Sequence, residues 1–274
     1  MIGDYGAAGS PGESQVARLV ASLLPDVILT TGDNNYPSGA AATLDENVGR
    51  FYHSFIQGYC GKYGAGASRN RFFPTLGNHD WGNKPRHPKG ADPYLRWFDL
   101  PGNERYYDFV RGPVHFFALD SDRNEPDGVD ASSAQARWLR DGLAKSQAPW
   151  KVVYFHHPPY TSGAKHGPCK WMRWPFAEWG ADVVLAGHEH SYERLLVPAG
   201  EDRPEIPFIV IGASGARLSG FVRAKAISPF SMVRISEWGA LLMSASPDRL
   251  EIEFYTADGG SEQPADVVSL LARR

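Results

Sequence analysis

The N-terminal part of the chain changes from a helical to a strand pattern of apolar residues. Between residues 14 and 24 the apolar positions recur at intervals of three and four, which predicts an amphipathic helix that ends before Pro25. These positions are Val16, Leu19, Val20 and Leu23. The run from Val27 to Thr31 is short and continuously apolar until its last two residues, so it predicts a buried strand.

The same alternation continues in the middle of the chain. A second helix is predicted to begin at Ser132, because Gln135 stands at the position of a capping-box partner. Residues 151–155 predict the next strand, residues 171–179 a further helix, and residues 182–186 the strand after it. Helices that alternate with buried strands indicate the α/β class.

From residue 208 onward the pattern consists of strands without clear helices between them. The predicted strands are 208–211, 232–236, 240–244 and 250–255. Their short apolar runs favour antiparallel pairs in a second sheet. Residues 106–110 and 114–119, which flank Arg111-Gly112-Pro113, predict a hairpin of the same kind.

Composition restricts the possible partners. The 274 residues, 42% of them hydrophobic, can bury a substantial core, and we expect one domain. The formal charge of -3 comes without a run of like charge, so neither nucleic acid nor a membrane surface is an expected partner. A phosphorylated substrate would therefore need positive charge placed locally. The oligomeric state is not indicated.

Two further features leave alternatives open. Cys60 and Cys169 can form at most one disulfide, and a pair of free thiols is as compatible with their spacing. Asp4 follows only three residues although its surroundings are typical of a strand end. An upstream segment that has been removed, such as a signal for secretion or export to the periplasm, is one interpretation, and the compartment stays open.

Metal-ligating side chains gather where predicted strands end. The clusters are Gly3-Asp4-Tyr5-Gly6, Gly32-Asp33-Asn34-Asn35-Tyr36, Gly77-Asn78-His79-Asp80, His156-His157-Pro158-Pro159 and Gly187-His188-Glu189-His190. In open α/β sheets, ligands bind at the carboxyl ends of strands. A glycine in most of these clusters lets the backbone turn sharply and brings several loops to one point.

Each cluster alone is weak evidence, but the clusters together favour a common cause. A strand-end Asp usually caps a turn, and a lone His-x-His is often a surface pair. However, five of the nine histidines fall within the clusters. A dinuclear metal site explains this concentration, because two cations about 3.5 to 4 Å apart need a bridging carboxylate and further anionic ligands. Asp33 is the natural bridge, and a phenolate from Tyr36 suits a hard, highly charged ion such as ferric iron.

These residues resemble, in order and spacing, the five signature blocks of the calcineurin-like metallophosphoesterases. The resemblance spans Asp4 to Arg194 and is specific to the purple acid phosphatase branch, because most other branches lack a tyrosine at the position of Tyr36. It implies an α/β fold, a four-layer sandwich of two mixed β-sheets flanked by helices, as a single catalytic domain over residues 1–274. The chain is similar to the small form without an extra β-sandwich domain.

The resemblance also implies a set of ligands and substrate-side residues. Asp4, Tyr36 and His190 would hold Fe³⁺, Asp33 would bridge, and Asn78, His156 and His188 would hold Fe²⁺, Zn²⁺ or Mn²⁺. His79 would face the substrate, and His166 is similar in position to a second substrate-side histidine. A hydrogen bond from His79 to a carboxylate such as Asp80 is the competing, purely structural interpretation.

One ambiguity concerns the adjacent histidines at 156 and 157. The sequence Val153-Tyr154-Phe155-His156 fits the family's Val-x-x-His block and favours His156 as the ligand. Counting back from His166 favours His157 instead.

The implied activity is hydrolysis of a small phosphomonoester. The metals would orient the phosphate and lower the pKa of a bound water, so that hydroxide attacks in line. His79 and His166 would donate protons or hydrogen bonds to the leaving oxygen. Two rival functions are a phosphodiesterase-type metallophosphoesterase, in which Tyr36 has no role, and a metal-binding protein without turnover.

Overall fold

The computed structural model describes residues 1–82, 90–199, 205–258 and 263–272. The strands are β1 (Ile28–Thr30), β2 (Phe72–Pro74), β3 (Tyr107–Arg111), β4 (Val114–Ala118), β5 (Trp150–Tyr154), β6 (Val183–Ala186), β7 (Tyr192–Val197), β8 (Ile206–Ile211), β9 (Ser231–Ile235), β10 (Gly239–Ala245), β11 (Arg249–Thr256) and β12 (Asp266–Leu271). The helices are α1 (Pro11–Ser22), α2 (Ala41–Leu44), α3 (Arg50–Tyr52), α4 (Asp92–Trp97), α5 (Ala134–Lys145) and α6 (Phe176–Trp179).

A seven-stranded mixed sheet is the larger of the two β-layers. Its strand order is β3-β4-β5-β6-β8-β7-β9. The four central strands β4, β5, β6 and β8 run parallel, and the pairs β3-β4, β7-β8 and β7-β9 are antiparallel. Every residue of β6 and β8 is buried, as expected for parallel strands that are covered on both faces.

The second layer is assembled around the first residues of the chain. Strands β1 and β2 pair in parallel, and β10, β11 and β12 form an antiparallel meander. Ile2 joins β1 through hydrogen bonds with Leu29 and Thr31, and Met1 exchanges backbone hydrogen bonds of 2.5 and 2.9 Å with Leu241 of β10. The N-terminal residues therefore link both groups of strands into one mixed hydrogen-bonded layer.

Apolar side chains of alternate parity fill the two sides of the larger sheet. Val152 of β5 packs in the core between the sheets together with Phe254 of β11. Val153 points to the opposite face and packs with Leu139 and Leu143 of α5. Helix α1 packs against β10 on the other side of the second layer. This arrangement confirms the expected α/β sandwich of two mixed sheets between helices.

The assignment of the C-terminal strands to one sheet was wrong in part. Strands β8 and β9 belong to the larger sheet, as does the β3-β4 hairpin, and only β10 and β11 join the second layer as predicted, together with β12. The continuous burial of β8 fits an interior parallel strand, whereas β11 alternates between buried and partly exposed residues. The apolar run 206–211 carries no information about which sheet it joins.

The predicted helix boundaries also needed correction. Helix α1 begins at Pro11, three residues before the predicted start, because proline is well suited to the first helical position. Residues 171–179 form a 3₁₀ turn (Lys170–Met172) and the short α6, separated around Pro175. A proline disfavours the helical conformation of the residue before it, which explains the interruption.

Helix α5 is capped by Ser133 and not by Ser132. The Oγ atom of Ser133 accepts a hydrogen bond from the N–H of Ala136 at 3.1 Å. The buried side chain of Gln135 is not a capping-box partner, since it exchanges hydrogen bonds with the backbone of Asp120 and also donates to the carbonyl of Gly128.

The structure gives the state of the two cysteines and the lengths of the helices. Cys60 is exposed and Cys169 is buried, and both are free thiols. Within the described ranges, every helix is too short or too polar to cross a bilayer.

The cap of α5 gives a test of the fold with a matched control. We expect Ser133→Ala to lower the free energy of unfolding by about 1 kcal/mol, because the N–H of Ala136 loses its acceptor. Ser132→Ala should change it by less than about 0.5 kcal/mol, since Ser132 is exposed and its hydroxyl donates only to the exposed Asp130. Urea denaturation of both variants measures the difference. Equal effects, or a larger loss in Ser132→Ala, would contradict the assigned cap.

Candidate metal centre

The clusters of ligating side chains converge where the carboxyl ends of strands from both sheets meet. Asp33 follows β1 and Asn78 follows β2 in the second layer, while His156 follows β5 and His188 follows β6 in the larger sheet. Asp4 follows the extended N-terminal residues that pair with β1. This is the edge at which ligands bind in α/β sheets.

The backbone is strained where it delivers three of these side chains. Asp4, Asp33 and His188 have φ angles of 55°, 52° and 70°, in the left-handed region that non-glycine residues seldom adopt. The strands also approach each other closely, because a Cβ atom at Gly77 would lie 2.2 Å from Asp33 Oδ1. Strain and close approach of this kind are typical of functional sites.

One half of the site is formed by two carboxylates, a phenol and an imidazole. The hydroxyl of Tyr36 lies 3.1 Å from Asp4 Oδ1, 3.0 Å from Asp33 Oδ2 and 3.3 Å from His190 Nε2. The His190 Nε2 atom is also 3.4 Å from Asp4 Oδ1. Four potential ligand atoms therefore surround one point.

The other half is centred on His156. Its Nε2 atom lies 3.1 Å from Asn78 Oδ1, 3.1 Å from His188 Nδ1 and 3.5 Å from Asp33 Oδ2. Because Asp33 Oδ2 also contacts Tyr36, this carboxylate joins the two halves. The structure thus brings together all seven side chains that the sequence predicted as metal ligands.

Hydrogen bonds to backbone carbonyls orient two of the imidazoles. The Nδ1 atom of His156 lies 2.8 Å from the carbonyl oxygen of Thr31, and Nδ1 of His190 lies 2.8 Å from that of Arg217. Since a carbonyl only accepts, both Nδ1 atoms donate, and in the neutral rings the Nε2 lone pairs face the site. Partners of this kind set the tautomer of metal-binding histidines.

His157 occupies a neighbouring position. It is buried, its Nδ1 atom lies 3.0 Å from Ser121 Oγ, and its ring centroid is 4.6 Å from that of His188. Its side chain is close enough to His156 and His188 for these three histidines to form a possible metal-binding group, beside the group of Asp4, Asp33 and His156. However, the contacts to Asn78 and Asp33 are made by His156.

The charges in the site fit a pair of cations. Burial alone would raise the pKa of Asp4, but nearby His156 and His190 lower it on balance, so this carboxyl stays ionised. Burial and then the neighbouring imidazoles lower the pKa of His188, which favours the neutral, ligating form. One phenol hydrogen of Tyr36 can serve only one of the two carboxylates at a time. Burial alone would lower the pKa of His156, but Asp33 and Asp4 raise it on balance, so the two carboxylates favour positive charge in the site.

The two substrate-side histidines lie at the rim of this network. The backbone N–H of His79 donates a hydrogen bond to Asp33 Oδ1 at 2.8 Å. The Nδ1 atom of its ring lies 2.6 Å from the carbonyl oxygen of Pro37. The competing interpretation was a hydrogen bond from His79 to a carboxylate such as Asp80, and the observed hydrogen-bond partner of the ring is the carbonyl of Pro37. The carboxylate of Asp80 accepts hydrogen bonds from the backbone N–H groups of Gly77 and Asn34 and from the side-chain amide of Asn34.

His166 lies beside His188 and is exposed. Its ring stacks on His188 with the centroids 4.0 Å apart and an interplanar angle of 28°.

Sequence analysis did not identify two residues that lie at the site. Glu189 stands between the two histidines of the His-x-His motif, is fully buried, and accepts hydrogen bonds from the loop that carries His166. Lys165 precedes His166 and places its ammonium against His190. An acidic residue inside a metal-binding motif was the available signal for Glu189, whereas nothing in the pattern distinguished Lys165 from other surface lysines.

Comparison with known proteins agrees with this geometry. A family model described as calcineurin-like phosphoesterase matches residues 2–192. Purple acid phosphatase 17 of Arabidopsis thaliana is 26% identical over 290 residues, covering 94% of this chain and 80% of that protein. Tartrate-resistant acid phosphatase type 5 of Mus musculus is 27% identical over 274 residues, covering 90% of this chain and 80% of that protein.

Solved structures show the same fold. A purple acid phosphatase from seeds of yellow lupin (Lupinus luteus) has a TM-score of 0.79 at 18% identity, covering 98% of this chain and 52% of the lupin chain. GAP50, described as the anchor in the inner membrane complex of Plasmodium, has a TM-score of 0.71 at 16% identity, covering 100% of this chain and 88% of that chain. The family match spans well over half of the sequence, and the chain belongs to the calcineurin-like phosphoesterases, with purple acid phosphatases among its curated relatives.

Proposed function

We propose that this metallophosphoesterase hydrolyses small phosphomonoesters with a dinuclear metal centre of the purple acid phosphatase type. The observation that carries the proposal is that Asp33 Oδ2 lies within 3.0 Å of the Tyr36 hydroxyl and 3.5 Å of His156 Nε2, and so is shared by both halves of the site. Asp4, Tyr36 and His190 would hold one ion, Asn78, His156 and His188 the other, and Asp33 would bridge them.

The chemistry of the donors supports a ferric ion in the Tyr36 half. Burial raises the pKa of Tyr36 far above its usual value, and Asp33 and Asp4 raise it further. Only a strongly charged cation would offset this and stabilise the phenolate, which favours Fe³⁺ there. The His156 half offers two imidazoles and an amide oxygen, which suit Fe²⁺, Zn²⁺ or Mn²⁺. When bound, the pair would polarise the phosphate and lower the pKa of water.

The protein's own groups would bind and protonate the substrate. His79 is held by two hydrogen bonds, and its Nε2 atom is 3.8 Å from Asp33 Oδ2, so the ring faces the same point as the bridging carboxylate. His166 is exposed and stacks on the ring of His188. These two imidazoles would donate hydrogen bonds or a proton to the leaving oxygen.

A metal-binding scaffold without turnover is the second candidate. The fold alone allows it, since GAP50, which shares the architecture, is described as an anchor. A phosphodiesterase-type activity, in which Tyr36 has no role, is a third. The complete set of ligating side chains favours an enzyme, and the contacts of Tyr36 with both carboxylates favour the purple acid phosphatase chemistry.

Turnover separates the enzyme from the scaffold. We expect metal-loaded protein to hydrolyse p-nitrophenyl phosphate, and Asp33→Asn to lower kcat/KM by about 1000-fold, because the bridging charge is lost. Asp108→Asn, at a surface carboxylate that contacts His115, should leave the rate unchanged. Lack of turnover of any phosphomonoester by protein that binds two metal equivalents would contradict the proposed function.

Metal affinity decides between the adjacent histidines. Since His156 contacts Asn78 and His188, we expect His156→Ala to weaken binding of the divalent ion by about 100-fold or more. His157→Ala should weaken binding of this ion by about tenfold or less, because the ring of His157 packs against the ligand His188 and is not itself a ligand. Titration against a chromophoric chelator measures both. Loss of the ion in His157→Ala and not in His156→Ala would reverse the assignment.

Colour tests the ligand role of Tyr36. A phenolate on ferric iron absorbs visible light, so we expect oxidised, iron-loaded protein to show a band that disappears in Tyr36→Phe. A matched Tyr160→Phe variant, in which the altered ring packs against Phe208 and Phe230, should keep the colour. Colourless iron-containing protein that still turns over substrate would favour the phosphodiesterase-type alternative.

A further inference from the structure

A lysine ammonium lies against the candidate metal centre. Lys165 Nζ is 3.2 Å from His190 Nδ1 and 3.4 Å from His190 Nε2. Because the two distances are nearly equal, the ammonium lies over the imidazole ring and away from the line along which the Nε2 lone pair projects. That lone pair remains directed at Tyr36 and Asp4. Lys165 therefore does not compete with a cation for His190.

The loop that carries Lys165 is anchored by a buried acid. The carboxylate of Glu189, which is fully buried, accepts hydrogen bonds from the N–H groups of Lys165, His166 and Gly167 at 3.4, 2.5 and 2.6 Å. The loop comes so close that a Cβ atom at Gly163 would lie 2.3 Å from Glu189 Cδ. The backbone of Lys165 is thereby fixed, while the residue is exposed to solvent.

Consecutive residues of this loop cover the two histidines of the His-x-His motif. Lys165 lies on His190 and His166 stacks on His188, so an ammonium faces one half of the site and an imidazole faces the other. Among the residues that the structure describes, the ion pairs of lysine and arginine do not include Lys165, so its positive charge is not neutralised by a carboxylate in direct contact. A chain of net charge -3 thus places a cation where a phosphoryl group would bind.

We propose that Lys165 is a substrate-binding residue whose ammonium donates a charge-assisted hydrogen bond to a non-bridging oxygen of the phosphoryl group, in substrate and in product phosphate. This assignment rests on the proposed function, because it places the phosphate between the metal pair and the Glu189-anchored loop. An ammonium suits this role, since it offers three donors on a flexible stem and can follow the oxygen through the reaction. Glu189 is the positioning residue that fixes the loop.

Inorganic phosphate is the direct probe, measured on metal-loaded protein by calorimetry and as a competitive inhibitor. We expect Lys165→Ala to weaken phosphate binding about tenfold and to raise KM for p-nitrophenyl phosphate by a similar factor, with a smaller change in kcat. Lys165→Arg should restore phosphate affinity to within about threefold of the wild type. Lys145→Ala, at the exposed last residue of α5, should behave as the wild type.

Metal content and the wild-type activity keep the possible outcomes distinct. Unchanged phosphate affinity in Lys165→Ala, or loss of one metal equivalent from that variant, would overturn the proposal and leave Lys165 as a packing contact of His190. Protein that binds two metals and phosphate but hydrolyses no phosphomonoester would contradict the proposed function. In that case a tenfold loss of phosphate affinity in Lys165→Ala still supports the anion-binding role.

Discussion

Two buried carboxylates share a single phenol hydroxyl in the candidate metal centre. Asp4 and Asp33 are almost completely excluded from solvent, and the Tyr36 hydroxyl lies within 3.1 Å of both. Removing each carboxylate from water costs several kcal/mol unless a positive charge compensates for it. The neighbouring imidazoles offset part of this cost, and a cation pair would offset the rest. The arrangement is therefore unfavourable as packing and favourable as a metal site.

The architecture places this charge by joining two sheets at one edge. Parallel strands of both layers end there, and Asp4, which follows the residues paired with β1, accepts a hydrogen bond from the N–H of His188, after β6 of the larger sheet, at 2.8 Å. The left-handed backbone at Asp4, Asp33 and His188 shows that local conformational preference is overridden where ligands are delivered. The surrounding core of both sheets offsets that strain, since packed side chains on either face leave the strand ends little freedom to relax.

The sequence predicted which candidate ligands lie together, because most of them belong to short local motifs. The pairs His188 and His190, and Asp33 and Tyr36, keep their relative positions through two or three residues of backbone, so pattern and resemblance were sufficient. The carbonyls of Thr31 and Arg217 that orient the imidazoles could not be predicted, since every residue carries a carbonyl and only the tertiary fold selects one. The same limit applies to Lys165, whose position depends on hydrogen bonds from a loop to Glu189.

The sheet to which a strand belongs was the other feature that could not be predicted from the sequence. The run 206–211 is apolar throughout, which fits an interior strand of either sheet, and only its pairing with β6 and β7 assigned it to the larger one. The most direct test of the account is anomalous diffraction from crystals of iron- and zinc-loaded protein, with data collected at both absorption edges. The account predicts two peaks about 3.5 Å apart, with a carboxylate oxygen of Asp33 between them. A single peak, or two peaks that Asp33 does not bridge, would contradict it.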